Sequence, residues 1–189
     1  SAEGIEPAGL AGVLDAAAAA SVARLAGASP RSIAQGLAAY TVAGHRGAVI
    51  HEHSGISFID NSKATNPHAA DAALKGLNSV VWIAGGQLKG AEVDGLVAKH
   101  AALIKAAVVL GADRQEIAQA LAEHAPHAPV DVIESNDPAA AMNAAVDAAL
   151  QHAEAGDTVL LAPAAASLDM YTGMAQRGDF FAVAARELT

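Results

Sequence analysis

The chain contains no cysteine. That removes disulfide cross-links, thiolate nucleophiles and thiolate metal ligands, and it leaves the redox compartment undetermined. Aromatic residues make up only 3% of the 189 positions, although the hydrophobic fraction reaches 53%. A core must therefore be assembled from Ala, Val, Leu and Ile, and close helix packing has to replace bulk. Basic residues are scarce as well: 11 Lys and Arg stand against 20 Asp and Glu, for a net charge of −9. Without a basic stripe to displace counterions, nucleic acid is not an expected partner, whereas a small anion held by a few placed cations is compatible with this balance. No apolar run is long enough for a membrane span, and no basic, cleavable apolar leader opens the chain. The expectation is a soluble cytoplasmic protein, and the acidic surface favours a monomer. The chain starts with Ser1 rather than methionine, as a processed product or a piece of a longer protein does.

Residues 8 to about 26 read as an alanine-dominated helix, with Val13, Leu14, Val22 and Leu25 supplying bulk and Gly27 as its C-cap. Ser29-Pro30 opens a second helix that carries Ile33 and Leu37 four apart on one face. No strand pattern separates the two, so they read as a helical appendage or the end of a preceding domain.

Downstream the pattern alternates. Ala48-Val49-Ile50 and Ile56-Ser57-Phe58-Ile59 flank Ser54-Gly55 as a hairpin would. Val80 to Ala84 is a near-continuous apolar run, as expected of a strand covered on both faces. A helix over 93–103, a strand from Ala106 to Leu110, a helix introduced by an Asp113/Glu116 capping box and a short strand from Val130 to Ile133 follow. Asp137-Pro138 opens a long alanine helix to about 154, Thr158 to Leu161 is another buried strand, and a final helix is expected over 178–187. This order predicts an α/β fold: a mostly parallel sheet with helices on both faces. Ligands of such sheets bind beyond the carboxyl ends of the strands, where loops 60–66, 85–90 and 162–173 leave.

The first loop, Asp60-Asn61-Ser62-Lys63-Ala64-Thr65-Asn66-Pro67, joins a strand to a helix. Asn66 is placed to cap and Pro67 to occupy the first helical position. Free N–H groups and a positive dipole end suit phosphate or carboxylate there, although solvated turns use the same residue types. Gly85-Gly86-Gln87-Leu88-Lys89-Gly90 offers a tight turn and a cation, yet Gly-Gly after a parallel strand is common. The Walker pattern Gly-x4-Gly-Lys-Ser/Thr occurs nowhere in the chain. Ser167 lacks a nucleophile-elbow context and reads as a ligand donor or a cap. Arg177 and Asp179 are expected to pair with each other or with the body of the domain. His51 and His53 share a strand face, but nothing nearby marks a third metal ligand, and an exposed strand is the simpler reading. His45-Arg46 sits where the helical appendage ends.

Taken in order, His45-Arg46, Asn61-Ser62-Lys63-Ala64-Thr65-Asn66, Gly85-Gly86 with Lys89, Ser167-Leu168-Asp169 and Gln176-Arg177-Gly178-Asp179 resemble the Mur ligases, and within them the branch that adds D-glutamate. The Ser-Lys-Ala-Thr-Asn run is the specific part, and the likeness runs from about residue 8 to the C-terminus. The resemblance implies a Rossmann-like C-terminal domain over 44–189, which receives the amino acid, preceded over 1–43 by the helical end of a central ATPase domain. It implies that Thr65, Lys89, Ser167 and the backbone of Met174 hold D-glutamate, while His45, Arg46, Asn61 and Lys63 face ATP. It also implies that ATP, Mg²⁺ and UDP-N-acetylmuramoyl-L-alanine are engaged through parts outside this chain, which carries no catalytic or metal residue and is inactive alone. Three positions depart from the family pattern: Asn61 and Asp15 stand where relatives carry Asp and Asn, and Met174 where Phe is frequent. A ligase for another acidic amino acid or carrier, or a non-catalytic Rossmann-like binding module, are the alternative readings.

Overall fold

The computed structural model describes residues 10–41 and 43–188, so the start of the first expected helix lies outside it. The chain divides into two compact units, residues 1–44 and 45–189.

The first unit is a helix pair, α1 (Leu10–Leu25) and α2 (Pro30–Ala39). Gly27 N–H donates to Arg24 O and Ala28 N–H to Ala23 O, closing α1 as its glycine predicts. Ser29 caps α2 by accepting from Ser32 N–H at 3.0 Å, with Pro30 in the first turn. α2 buries no residue, and Leu14, Val22 and Leu25 are exposed.

The second unit carries six strands: β1 (Ala48–His53), β2 (Ile56–Asp60), β3 (Val80–Gly85), β4 (Ile104–Leu110), β5 (Val130–Val132) and β6 (Thr158–Leu161). Their spatial order is β1-β2-β6-β3-β4-β5. β1 and β2 form the expected antiparallel hairpin, with Ser54 and Gly55 both at positive φ, and every other pairing is parallel. Five α-helices, α3 (Pro67–Leu74), α4 (Asp94–His100), α5 (Arg114–His124), α6 (Pro138–His152) and α7 (Met174–Arg186), and a short 3-10 helix at Ala101–Leu103 complete the unit among the described residues.

The apolar strands are continuous because both faces are covered. Val80, Trp82 and Ala84 of β3 pack in one layer with Leu74 of α3, Val97 of α4 and Leu121 of α5. Val81 and Ile83, pointing the other way, pack with Met142 and Val146 of α6 and Phe181 of α7. On α6 the buried set Ala141, Met142, Ala145, Val146 and Ala149 recurs at helical spacing, so small side chains line the contact with the sheet. Trp82, the single tryptophan, is fully buried, and its indole N–H donates to Ala162 O at 2.8 Å.

Two local expectations fail. α7 starts at Met174, four residues before the expected start, after an extended Gly173 and with Ser62 Oγ donating to Met174 O. Asp113 stands before α5, but its carboxylate makes no cap bond to that helix. A competing donor, Leu88 N–H, takes it at 2.6 Å.

Candidate functional site

The loops leaving β2, β3, β4 and β6 meet at the carboxyl end of the sheet, and one buried cation joins three of them. Arg177, in the first turn of α7, is 1% exposed. Its Nε donates to Ser62 Oγ at 3.0 Å, and its terminal nitrogens donate to Ser62 O, Gly85 O and Ala165 O at 3.0–3.1 Å. These acceptors are all uncharged. Burial lowers its pKa to about 10, so the guanidinium remains charged at neutral pH. A buried charge that satisfies its donors with backbone and hydroxyl oxygens is tolerable, and it fixes those oxygens in space. Arg177 thus pairs with the body of the domain, and not with Asp179.

The turn after β2 is held from below. Asp60 is buried; one carboxylate oxygen accepts from Ser62 N–H at 2.9 Å and the other lies 2.6 Å from His45 Nδ1. Ser62 Oγ donates to Met174 O at 2.7 Å, which ties the turn to the start of α7. His45 O accepts from Lys63 N–H, and Asn61 N–H donates to Leu161 O. With these anchors, Lys63 is exposed while Asn61 and Thr65 are half-buried. Asn66 caps α3 by accepting from Ala69 N–H at 2.9 Å, as its position before Pro67 predicts.

Gly85 and Gly86 follow β3 at φ values of 135° and 126°. A Cβ on Gly85 would collide with Leu110 O and one on Gly86 with Ala166 O, so only glycine lets the three loops approach. Gln87 and Ala166 form an antiparallel bridge with reciprocal 2.8 Å hydrogen bonds. Lys89 is exposed and sits at φ 55°.

After β6, Ser167 is buried and its carbonyl accepts from Met170 and Tyr171 N–H, closing a backbone turn. Leu168 beside it is 63% exposed. Asp169 accepts from Ala112 N–H at 2.8 Å, linking this turn to the loop after β4. Met174 is the first residue of α7, where a helix N–H has no intrahelical partner. Burial pushes the Tyr171 phenol well above its usual range, so it stays neutral.

Of the residues singled out in the sequence, Asn61, Lys63, Thr65, Lys89, Ser167 and Met174 thus occupy loops or a helix start at one end of the sheet. Arg46 is exposed, and His45 is engaged with Asp60, its Nε2 lying 3.7 Å from Asp179. Asp15 belongs to the helical unit, where it is exposed. His51 and His53 stack at 6.3 Å, with His51 also against Phe58. Among the described residues, the grouping able to ligate a metal is Asp94, Glu123 and His124, away from these histidines in sequence and on other elements. Sequence reading did not anticipate Asp113 and Asp169 as loop ties, nor the burial of Arg177. For Arg177 the one signal was a glycine beside it at position 178, which makes room for close packing.

The Mur ligase, glutamate ligase domain family model matches residues 45–165. The UDP-N-acetylmuramoylalanine–D-glutamate ligase of Corynebacterium efficiens is 64% identical over 183 residues, covering 97% of this chain and 38% of its own length. That of Streptomyces coelicolor is 49% identical over 176 residues, covering 93% and 37%. The chain therefore spans under two fifths of the length of these curated relatives. Among solved structures, MurF from Acinetobacter baumannii superposes with a TM-score of 0.63 at 19% identity, over 93% of this chain and 38% of that one.

Proposed function

The chain belongs to the Mur ligase family through its glutamate ligase domain, and from this premise we propose that it is the amino-acid-receiving part of a ligase that uses ATP to add D-glutamate to UDP-N-acetylmuramoyl-L-alanine. Residues 44–189 are the receiving domain, and residues 1–43 close the preceding ATPase domain. The reading is carried by the meeting of three loops around the Arg177 guanidinium, which places Thr65, Lys89, Ser167 and the start of α7 at one end of the sheet. Those groups are a hydroxyl pair, one cation and a free helix N–H, a donor set suited to a dicarboxylate.

ATP fits the same end in part. Arg46 and Lys63 are exposed cations suited to phosphate oxygens, and the Asn61 amide suits a ribose hydroxyl. The phosphate cradle of a Walker loop is absent from the 189 residues. The first loop offers Mg²⁺ no ligand set: its one carboxylate, Asp60, is buried and held by Ser62 N–H and His45. When bound, ATP supplies the phosphoryl group that activates the acceptor carboxylate. The contribution of this chain is to hold the incoming amine at that carbon.

The experiment is steady-state kinetics of the full-length protein. Lys89→Ala is expected to raise the KM for D-glutamate by about tenfold or more, since a charge-assisted hydrogen bond is lost. The KM for ATP should stay put. An unchanged D-glutamate KM removes Lys89 from the site. Residues 1–189 by themselves are expected to show neither ATP hydrolysis nor amide formation.

A further inference from the structure

The turn that carries Lys89 is held by an acid from a neighbouring loop. Asp113, just after β4, grips residues 86–88 at both ends: its N–H donates to Gly86 O at 2.9 Å, and its carboxylate accepts from Leu88 N–H at 2.6 Å. A carboxylate accepting from a backbone N–H is a strong, short contact. Asp113 also stands where a capping residue of α5 belongs, with Glu116 three positions on, yet its side chain makes no cap bond. The acid that would serve its own helix serves the Lys89 turn instead. Lys89 itself is in the left-handed region, at φ 55°, with an exposed side chain. Its own side chain is therefore not what imposes that conformation; it belongs to a tight turn closed by Ala91 N–H donating to Leu88 O, in which Gly90 is also at positive φ.

The opposite side of the turn is tied as firmly. Gln87 and Ala166 exchange two backbone hydrogen bonds, and Asp169 reaches back to accept from Ala112 N–H, next to Asp113. Segments 86–88, 110–113 and 166–169 thus close a ring of hydrogen bonds, in which Ser167 sits and from which Lys89 directly emerges. We infer that Asp113 is a positioning residue for the carboxylate-holding pair, its carboxylate fixing the Lys89 turn against the Ser167 turn so that their spacing matches a dicarboxylic amino acid. This rests on Lys89 and Ser167 holding the amino acid, as proposed above.

The test uses the full-length enzyme and compares Asp113→Ala, Asp113→Asn and Lys89→Ala. Asp113→Ala should raise the D-glutamate KM by about tenfold, as a slight misplacement of a binding group does. The KM values for ATP and the nucleotide-sugar substrate, and kcat at saturating D-glutamate, should change by less than about twofold. Asp113→Asn should recover most of the loss, because an amide oxygen still accepts from Leu88 N–H. Adding Asp113→Ala to Lys89→Ala should produce no further rise, since both act through one group. A merely structural Asp113 would raise all three KM values or lower kcat together, or show no rescue by Asn, and either result overturns the inference. If Lys89→Ala raises KM and Asp113→Ala does not, the inference falls while the site reading stands. If Lys89→Ala leaves KM unchanged, the site reading fails and takes the inference with it. Should Asp113→Ala not fold, Asp113→Glu carries the test: its extra methylene displaces the turn, so a raised D-glutamate KM supports the role and an unchanged one refutes it.

Discussion

Arg177 Nε lies 3.0 Å from Ser62 Oγ, a contact between positions 115 residues apart, and the same guanidinium reaches the end of β3 and the loop after β6. Replacing it with lysine keeps the charge but offers one nitrogen in place of three. Arg177→Lys should therefore leave buried carbonyls unpaired and cost about 3 kcal/mol or more. Urea denaturation of the wild type and the variant measures it, and a loss below about 1 kcal/mol would show that the loops hold without the guanidinium.

Gly178 tests close packing against helix propensity. Gly to Ala inside an exposed helix normally stabilises by about 1 kcal/mol. Here a Cβ at position 178 would fall on His45 Nδ1 and Asp60 Oδ2. Gly178→Ala is expected to destabilise by about 1–3 kcal/mol, because the overlap outweighs the propensity gain. The sign of the change in thermal midpoint decides it.

Asp71 should make the domain acid-sensitive. Hydrogen bonds from Lys75 and Lys99, 2.7 and 2.6 Å away, and from His100 hold its carboxyl well below the ordinary value of 3.8. A carboxyl lowered in the folded state contributes stability that is present above 3.8 and is lost as pH falls through the folded value. Asp71→Asn should lower stability at neutral pH and flatten its dependence below about pH 4. Because both lysines are half-exposed, added salt should narrow the difference between the two proteins. Denaturation midpoints across pH, at low and high salt, check both statements.

Trp82 offers a reporter of the sheet centre. It is fully buried, and its N–H satisfies Ala162 O at the exit of β6. Native emission should be blue-shifted and should move red in a single step with unfolding. Trp82→Phe should cost about 1–3 kcal/mol, since it leaves a cavity and an unpaired carbonyl.

Much of the scaffold was legible because it follows from short-range chemistry. The run from Val80 to Ala84 could be apolar throughout only if both faces were covered, and Ser54-Gly55, Ser29-Pro30 and Asn66-Pro67 mark turns and caps by their own conformational preferences. The carboxyl-end loops could be picked out for the same reason. What failed was competition between distant groups. Asp113 with Glu116 has the spacing of a capping box, but a donor at position 88, 25 residues earlier, took the carboxylate. Arg177 could be read as pairing with Asp179 or with the body of the domain, and no periodicity reveals that four oxygens from three loops await it. The early start of α7 belongs with it, since the Ser62 hydroxyl, on the loop after the neighbouring strand β2, donates to the Met174 carbonyl.

A guanidinium shared by three loops also sets how this end of the domain can change over generations. Ser62, Gly85 and Ala165 contribute oxygens to one cation, so a substitution that shifts any of these loops is judged by the other two. Their mutational effects should be strongly non-additive. Because three of the four oxygens are backbone carbonyls, what residues 62, 85 and 165 must keep in common is the path of the chain around Arg177.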